Sequence, residues 1–267
     1  MDAELLNSEL VRDDLLKQII YFEESGSTNE FAKKNKTGPD TLIIASSQTN
    51  GTGRFNRHWH SSPGKDLTFT ITKNLNLPVD EIHLINFYSS YILFHTLKFF
   101  FIGSPDLSFS LKWPNDILLN GKKISGLLLE IINLKNEIKN FIIGIGINVN
   151  PDHFPDELGS KATSLKIESG REIIREKLLI EFIRNFYLQL SLVHKKEILM
   201  KEWISNTDII GKKIDFRMMN DDVMRSATVI SIDFDGALKL KFTDGGIKKH
   251  YSGEISLKQD RNLYPDP

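Results

Sequence analysis

The chain has 267 residues, of which 40% are hydrophobic and 26% charged, and its formal net charge is −1. This composition is typical of a globular protein with one substantial domain plus a small one, and the charge does not favour nucleic acid or an anionic membrane as a partner. Cysteine is absent, which excludes disulfides, cysteine-ligated zinc and thiol catalysis. The acidic N-terminus is unlike a signal peptide, and no apolar run reaches membrane-spanning length. We therefore expect a reduced, soluble, cytoplasmic protein.

Hydrophobic periodicity predicts a mixture of helices and strands in the first 101 residues. Short apolar runs predict three strands, at 19–22, 41–45 and 67–71. Residues 1–17 resemble a short charged helix. Ser27 followed by Glu30 has the spacing of a capping box, so a helix should begin there. Residues 80–101 are apolar at helical spacing and predict a long core helix, with Asp80 or a neighbour as its cap.

The middle of the chain is predicted to be rich in strands. Four apolar runs predict strands at 108–111, 117–119, 123–132 and 137–149, the last two joined at 133–136. Residues 112–116, KWPND, form a tight turn that brings a cation, an amide and a carboxylate together. Asn120-Gly121 predicts a type I′ hairpin turn. Residues 150–170 are expected to be a loop, and residues 172–204 a helix.

The hydrophobic period changes to two after residue 211, which indicates a second, smaller domain. Four strands are predicted in it, at 214–216, 227–233, 237–242 and 247–251. We expect a small β-barrel or sheet. The boundary near 205–208 divides the chain into a larger domain, residues 1–207, and a C-terminal domain, residues 208–267.

Residues 48–72 keep neither period and should contain a long surface loop. Its distinctive side chains and glycines are Gly51, Gly53, Arg54, Arg57, Trp59 and Gly64. Glycines let backbone N–H groups approach an anion, guanidinium groups hold phosphate or carboxylate, and tryptophan offers a face for stacking. A solvated connection with ordinary surface charge is the alternative. The spacing fits neither the dinucleotide fingerprint, whose third glycine falls at Asn56, nor a P-loop.

Three segments together resemble biotin protein ligases. They are GTGRFNRHW followed by SPGKDL, then KWPNDILLNGKKISGLLLE, and finally GIGINVN. STN at 27–29 and the closing GEISL also fit, so the resemblance covers about residues 19–258. One departure is Thr52, where the family commonly carries arginine, and another is Asn56, where it carries glycine. If the arginine that is missing here closes the loop over the acyl-adenylate intermediate in that family, this protein would release the adenylate more readily.

The resemblance implies both a fold and a reaction. The fold would be α+β, a mixed, mostly antiparallel sheet with packed helices as in class II synthetase-like biotin ligase domains, plus the C-terminal β-domain. The reaction would be activation of biotin with MgATP to biotinyl-5′-AMP, then transfer of biotin to one lysine of a biotin carboxyl carrier protein. We expect ATP, biotin and Mg²⁺ as small molecules, and neither nucleic acid nor membrane as partner. The type would be monofunctional, without an N-terminal DNA-binding domain, and a homodimer is left open.

The resemblance also implies roles for individual residues. Lys123, Arg54 and Asp116 would be catalytic, with Lys123 between the biotin carboxylate and the α-phosphate. Asp116 would orient or deprotonate the acceptor lysine, or help to position Mg²⁺, and no metal ligand is otherwise assigned. The biotin-binding residues would be Ser27, Thr28, Asn29, Gln48, Gly51, Thr52, Gly53, Arg54, Lys123 and Gly126. The residues on the ATP and adenylate side would be Arg54, Arg57, Trp59, Lys112, Asn115 and Asn148.

Three other functions compete with this one. A lipoate ligase or octanoyltransferase shares the fold but lacks the KWPND and glycine–arginine patterns. A bifunctional ligase–repressor requires an N-terminal DNA-binding domain, for which we expect no room. A non-enzymatic biotin-binding or carrier-docking protein would bind biotin without releasing pyrophosphate from ATP.

Overall fold

A computed structural model of the chain describes residues 1–132, 138–218 and 223–257. Its strands are β1 Gln18–Ser25, β2 Thr41–Gln48, β3 Leu67–Asn76, β4 Phe109–Lys112, β5 Asp116–Leu119, β6 Lys122–Ile132, β7 Ile138–Ile147, β8 Lys213–Arg217, β9 Arg225–Ile232, β10 Leu238–Phe242, β11 Ile247–His250 and β12 Glu254–Leu257. Its α-helices are α1 Ala3–Leu6, α2 Thr28–Lys34, α3 Leu84–Phe100, α4 Asp156–Gly159, α5 Leu165–Ser169, α6 Arg175–Leu188 and α7 Lys196–Ser205. Shorter 3₁₀ or π turns lie at Asn7–Val11, Arg54–Asn56, Val79–Glu81 and Leu190–His194.

Within the described ranges the strands form two sheets. The larger has the order β1-β2-β3-β7-β6-β5-β4, and the smaller has the order β11-β10-β9-β8-β12. Only the β1–β2 pairing is parallel among the strand pairs of these ranges. The predicted α+β class, with a mostly antiparallel sheet and a separate small C-terminal sheet, is therefore confirmed. The exact boundary at residues 207 and 208 stays a prediction.

Strand β3 shows how the sequence divides the two faces of the larger sheet. Its odd-numbered apolar residues, such as Phe69, enter the main core, where the Phe69 ring lies 5.8 Å from the ring of Phe182 in α6. Its even-numbered threonines are equally buried but lie on the opposite face, toward α2. Side chains alternate along a strand, so one face binds the packing helices α3 and α6 and the other carries polar groups. The polar face is where the candidate site lies.

The prediction of one continuous helix over 172–204 is wrong. The structure breaks it into α6, a 3₁₀ segment and α7. The 3₁₀ segment buries Val193, while α7 buries Leu199, Met200 and Trp203 against the same core. One straight helix cannot keep all these residues on the core, so tertiary packing overrides the continuous apolar pattern.

Other boundaries also differ from the prediction. The N-terminal segment is a short α-helix followed by a π turn, not one helix to residue 17, because β1 already begins at Gln18. Asp80 lies in a 3₁₀ turn, and the N-cap of α3 is His83, without a side-chain cap hydrogen bond. The expected loop 150–170 contains the short helices α4 and α5. The small sheet has a fifth strand, β12, which the hydrophobic pattern did not predict. The predicted connection at 133–136 lies outside the described residues.

The N-terminal cap of α2 is as predicted. The Ser27 hydroxyl accepts a hydrogen bond from the Glu30 N–H. The Glu30 carboxylate forms an ion pair with Lys33. In the described part of the chain, no helix combines the length and the apolar character needed to cross a membrane.

Candidate active site

The floor of the candidate site is made of glycines on two central strands. Gly126 of β6 pairs with Gly146 of β7. A Cβ at Gly146 would overlap the indole of Trp59, and one at Gly126 would lie 2.9 Å from Nζ of Lys123. These glycines are required because side chains from other segments lie directly on the sheet there. The floor therefore brings the glycine–arginine loop and the hairpin lysine to the same place.

Lys123 is the cation at the centre of this floor. Its Nζ lies 2.7 Å from Oδ1 of Asp116 and 5.5 Å from the centroid of the Trp59 ring. Its side chain is 36% exposed, against 18% for Asp116, so the ammonium reaches solvent while its partner is largely enclosed. The pair results from the tight hairpin between β5 and β6. A cation held at one edge by a carboxylate keeps its other side available for an anion.

The backbone of Lys123 is fixed by a second layer of contacts. Its N–H donates to the Lys161 carbonyl at 2.9 Å, and its carbonyl accepts from the Thr163 N–H at 3.0 Å. The buried Asn148 amide donates to the Thr163 carbonyl at 3.0 Å and to the Lys123 carbonyl at 3.5 Å. Asn148, predicted on the nucleotide side, thus uses its amide N–H₂ to hold the strand that presents Lys123.

Asn115 connects the KWPND turn to the glycine–arginine loop. Its side-chain amide donates to the Leu127 carbonyl at 2.5 Å, and its Oδ1 accepts from Nη1 of Arg54 at 3.3 Å. The Leu127 N–H returns a bond to the Asn115 carbonyl at 3.0 Å. Arg54 and Asn115 are 61 positions apart in sequence, so the fold alone brings them together. The guanidinium also lies 5.0 Å from the Phe55 ring centroid.

Residues 51–59 form a compact loop rather than an extended connection. The Trp59 N–H donates to the Gly51 carbonyl and the Gly53 N–H to the Arg57 carbonyl, both at 2.8 Å. At its tip, Phe55 and Asn56 have φ values of 59° and 55°. Glycine and asparagine tolerate this left-handed region, which gives a physical reason why Asn56 can stand where related loops carry glycine.

Trp59 lies on the glycine floor with its indole nitrogen buried. The Trp59 Nε1 makes no hydrogen bond with any described group. A buried indole N–H without a partner is unfavourable, since tryptophan normally pairs this group when it is buried. Trp59 therefore brings a hydrogen-bond donor, as well as a flat face, to the floor beside Lys123.

A buried polar cluster lies at the other end of the site. The Gln48 Oε1 accepts from the Thr28 N–H at 2.8 Å. The Thr70 hydroxyl lies 2.6 Å from Oδ1 of Asn29 and 2.8 Å from Oγ1 of Thr28. The Asn29 amide donates to Oε2 of Glu130 at 2.9 Å. Amide and hydroxyl groups held in this way can accept and donate several hydrogen bonds to a small polar ring.

A cavity of about 200 Å³ extends from this cluster under the loop. Its lining includes Ser27, Asn29, Lys33, Thr52, Gly53, Arg54, Leu128 and Glu130. Sequence reasoning did not find Thr70, Lys33 or Glu130. Glu130 ends the KWPND-containing segment and Thr70 lies within the 48–72 stretch, but only the sheet register shows that they face α2.

The remaining predicted residues are placed as follows. Gly51 is buried against Gln48 and the Trp59 backbone, and Arg57 is exposed at the loop end. Lys112 stands opposite Asp116 in the β4–β5 register and is half-buried. The residues described contain no group of three or more His, Asp or Glu side chains placed to hold a metal ion. Asp116, the carboxylate expected to help position Mg²⁺, is paired with Lys123.

Asp66 fixes the far end of the loop. Its carboxylate accepts hydrogen bonds from the Ser62 N–H at 2.6 Å and the Val149 N–H at 3.2 Å, and it is 2% exposed. Burial raises the pKa of Asp66 to about 6, against the opposing effect of those two N–H groups and of Arg175. The carboxylate therefore joins the loop to the end of β7 at some electrostatic cost.

Comparison with known proteins gives the family. The model described as the Biotin/lipoate A/B protein ligase family matches residues 20–148. A bifunctional ligase/repressor, BirA, from Bacillus spizizenii is 32% identical over 257 residues, which are 94% of this chain and 76% of that protein. The chain belongs to this family. A biotin–[acetyl-CoA-carboxylase] ligase from Mycobacterium tuberculosis is 27% identical over 171 residues, 60% of this chain and 61% of that protein.

Solved structures of the family agree with the fold. A biotin protein ligase from Aquifex aeolicus in complex with biotin and ATP is similar with a TM-score of 0.73 and 27% identity, covering 91% of this chain and all of that chain (100%). A biotin protein ligase from Leishmania major in complex with biotinyl-5-AMP is similar in fold, with a TM-score of 0.60 and 21% identity over 88% of this chain and 99% of that one. The resemblance to biotin protein ligases drawn from the three sequence segments is confirmed.

Proposed function

We propose that this protein activates biotin with ATP to biotinyl-5′-AMP and then transfers biotin to a specific lysine of a biotin carboxyl carrier protein. The observation that carries the proposal is the position of Lys123, paired with Asp116 on the glycine floor beside Trp59. The family and the biotin and ATP complex of the Aquifex protein support the same reaction. No observation favours a lipoate or octanoate substrate.

In the first step, a biotin carboxylate oxygen attacks the α-phosphorus of ATP. The new P–O bond replaces the bond to the β-phosphate, and pyrophosphate leaves. Two anions must approach each other, so a preorganised cation between them lowers the barrier. We assign this role to Lys123, with Arg54 as a second cation that Asn115 orients.

Binding of biotin is assigned to the buried polar cluster and the cavity next to it. Thr28 and Gln48 are already held in hydrogen bonds, so they need little reorganisation to receive the ureido ring. Ser27, Asn29, Gly51, Thr52, Gly53 and Gly126 would line the remainder of the biotin site. The nucleotide would lie beside Arg57, Trp59 and Lys112, where Trp59 offers its face and its unpaired indole N–H.

In the second step, the acceptor lysine Nζ attacks the acyl carbon of the mixed anhydride, and AMP leaves. The amine must be neutral and must lose a proton as the amide forms. Asp116, 18% exposed beside Lys123, is the carboxylate placed to orient that amine or to take its proton. We propose that Mg²⁺ enters as MgATP, since Mg²⁺ commonly uses substrate phosphates with few protein carboxylates. We further propose that the reaction occurs in the cytoplasm and without nucleic acid.

The test measures pyrophosphate release from ATP with biotin, lipoate or octanoate as the acid. We expect pyrophosphate release with biotin and not with lipoate or octanoate. A carrier domain should then gain biotin, while the same domain with its acceptor lysine replaced by arginine should not. Release with lipoate or octanoate but not biotin would contradict the proposal, and biotin binding without any release would favour a non-enzymatic binding protein.

A further inference from the structure

A buried hydrogen bond attaches the KWPND turn to the C-terminal sheet. The Trp113 indole N–H donates to the Gly236 carbonyl at 3.0 Å, between residues 123 positions apart. Trp113 is 2% exposed, and Gly236 is buried as well. A buried donor and acceptor of this kind are costly to separate, because each would lose its partner without gaining water. The turn that carries Asn115 and Asp116 is therefore tied to the β9–β10 turn.

The β9–β10 turn is shaped to present that carbonyl. Gly236 has a φ of +75°, and its N–H donates to the Asp233 carbonyl at 2.9 Å. A Cβ at Gly236 would lie 2.7 Å from the Phe87 ring and 2.9 Å from the His83 ring, at the start of α3. A side chain would therefore push the turn away from α3, and only glycine permits both the conformation and the approach.

The KWPND turn is also held by the start of α3. The Asn86 amide donates to the Pro114 carbonyl at 2.9 Å. The turn is thus fixed at Trp113 and Pro114, and the next two residues are the ones that contact Arg54 and Lys123. A displacement at Trp113 is transmitted to those contacts because the segment is short and its neighbours are anchored.

We propose that Trp113 and Gly236 are positioning residues, through which the C-terminal sheet fixes Asn115 and Asp116 for adenylation. This inference rests on the proposed function. Neither residue touches the reacting groups in our account; each acts through the KWPND turn. The kinetic reason is that a small misplacement of catalytic groups lowers kcat even where the substrate still binds.

Two variants with matched controls test the inference. Trp113→Phe removes the indole N–H, and Trp203→Phe is its control, since the Trp203 indole donates at 3.0 Å to Ser90 Oγ in the core. Gly236→Ala displaces the turn. Its control is Gly245→Ala, at φ +85° in the β10–β11 turn, where a Cβ has no neighbour within 4 Å.

We expect kcat for biotin-dependent pyrophosphate release to fall between about tenfold and a hundredfold in Trp113→Phe and in Gly236→Ala. The KM for biotin should stay within about twofold, because the Thr28–Gln48 cluster is built from α2 and β2. Each control should keep its kcat within about twofold of wild type after correction for the folded fraction. The double variant should be no worse than the more affected single variant, since both changes break one contact.

Equal losses in the variants and their controls would overturn the inference, as would effects that multiply in the double variant. If Gly236→Ala does not fold, Trp113→Phe and Trp203→Phe decide alone. Absence of biotin-dependent release in the wild-type chain would instead refute the proposed function, and this inference with it.

Discussion

Thr70→Val tests the polar cluster that we assign to biotin. The hydroxyl of Thr70 is fully buried and lies 2.6 Å from Oδ1 of Asn29 and 2.8 Å from Oγ1 of Thr28. Valine has nearly the same shape, so the change removes the hydroxyl and leaves a buried acceptor without a partner. Such a loss costs about 1–3 kcal/mol of the free energy of unfolding. Loss of about 1.4 kcal/mol from biotin binding would raise the biotin KM about tenfold.

The matched control is Thr68→Val, two residues earlier on the same face of β3. The Thr68 hydroxyl is also buried and donates at 2.8 Å to the Ala45 carbonyl, away from the cluster. Urea unfolding should show a lower free energy of unfolding in both variants. Initial rates at varied biotin concentration should show a raised biotin KM only in Thr70→Val. Equal biotin KM values in the two variants would refute the assignment of this cluster to biotin.

Three further predictions concern the floor, the loop and its anchor. Gly146→Ala should expel the Trp59 indole, giving a red-shifted tryptophan emission and a loss of adenylation of at least about tenfold, measured against Gly159→Ala, whose Cβ meets nothing within 4 Å. Because the pKa of Asp66 is raised in the folded state, the free energy of unfolding measured in urea should fall by about 3 kcal/mol as pH rises from about 4 through about 6. Asp66→Asn should lack this pH-dependent fall, and a flat wild-type profile would be contrary evidence. Biotin with ATP should slow tryptic cleavage at Arg57, which is exposed at the loop end, and equal cleavage rates would count against loop ordering.

Local rules predicted the parts of the fold that depend on neighbouring residues. Ser27 caps α2 because a hydroxyl three residues before Glu30 satisfies a free N–H. Asn120 and Gly121 have φ values of 50° and 79°, as a type I′ turn requires. The continuous helix over 172–204 was wrong because its apolar pattern does not show where the chain must bend to keep packing on the core.

The candidate site was predictable as a set of residues but not as a geometry. The loop composition singled out Arg54 and the KWPND turn singled out Asp116, whereas the catalytic roles of Arg54, Asp116 and Lys123 came from the resemblance to a family and stay predictions. Only the register of β6 and β7 shows that Trp59 lies on the glycine floor. The contact between Trp113 and the C-terminal sheet also had no sequence signal, because its two partners are 123 positions apart and local patterns do not specify such a long-range contact.

The most direct test of the account compares Lys123→Ala with Lys122→Ala in biotin-dependent pyrophosphate release. Lys123 is paired with Asp116 on the floor, whereas neighbouring Lys122, the first residue of β6, pairs with Leu119 across the hairpin and takes no part in the proposed site. We predict that release falls by at least about a hundredfold in Lys123→Ala, as expected when a preorganised charge is removed, and stays within about twofold in Lys122→Ala. Equal activity of the two variants would contradict the claim that Lys123 is the electrostatic centre of adenylation.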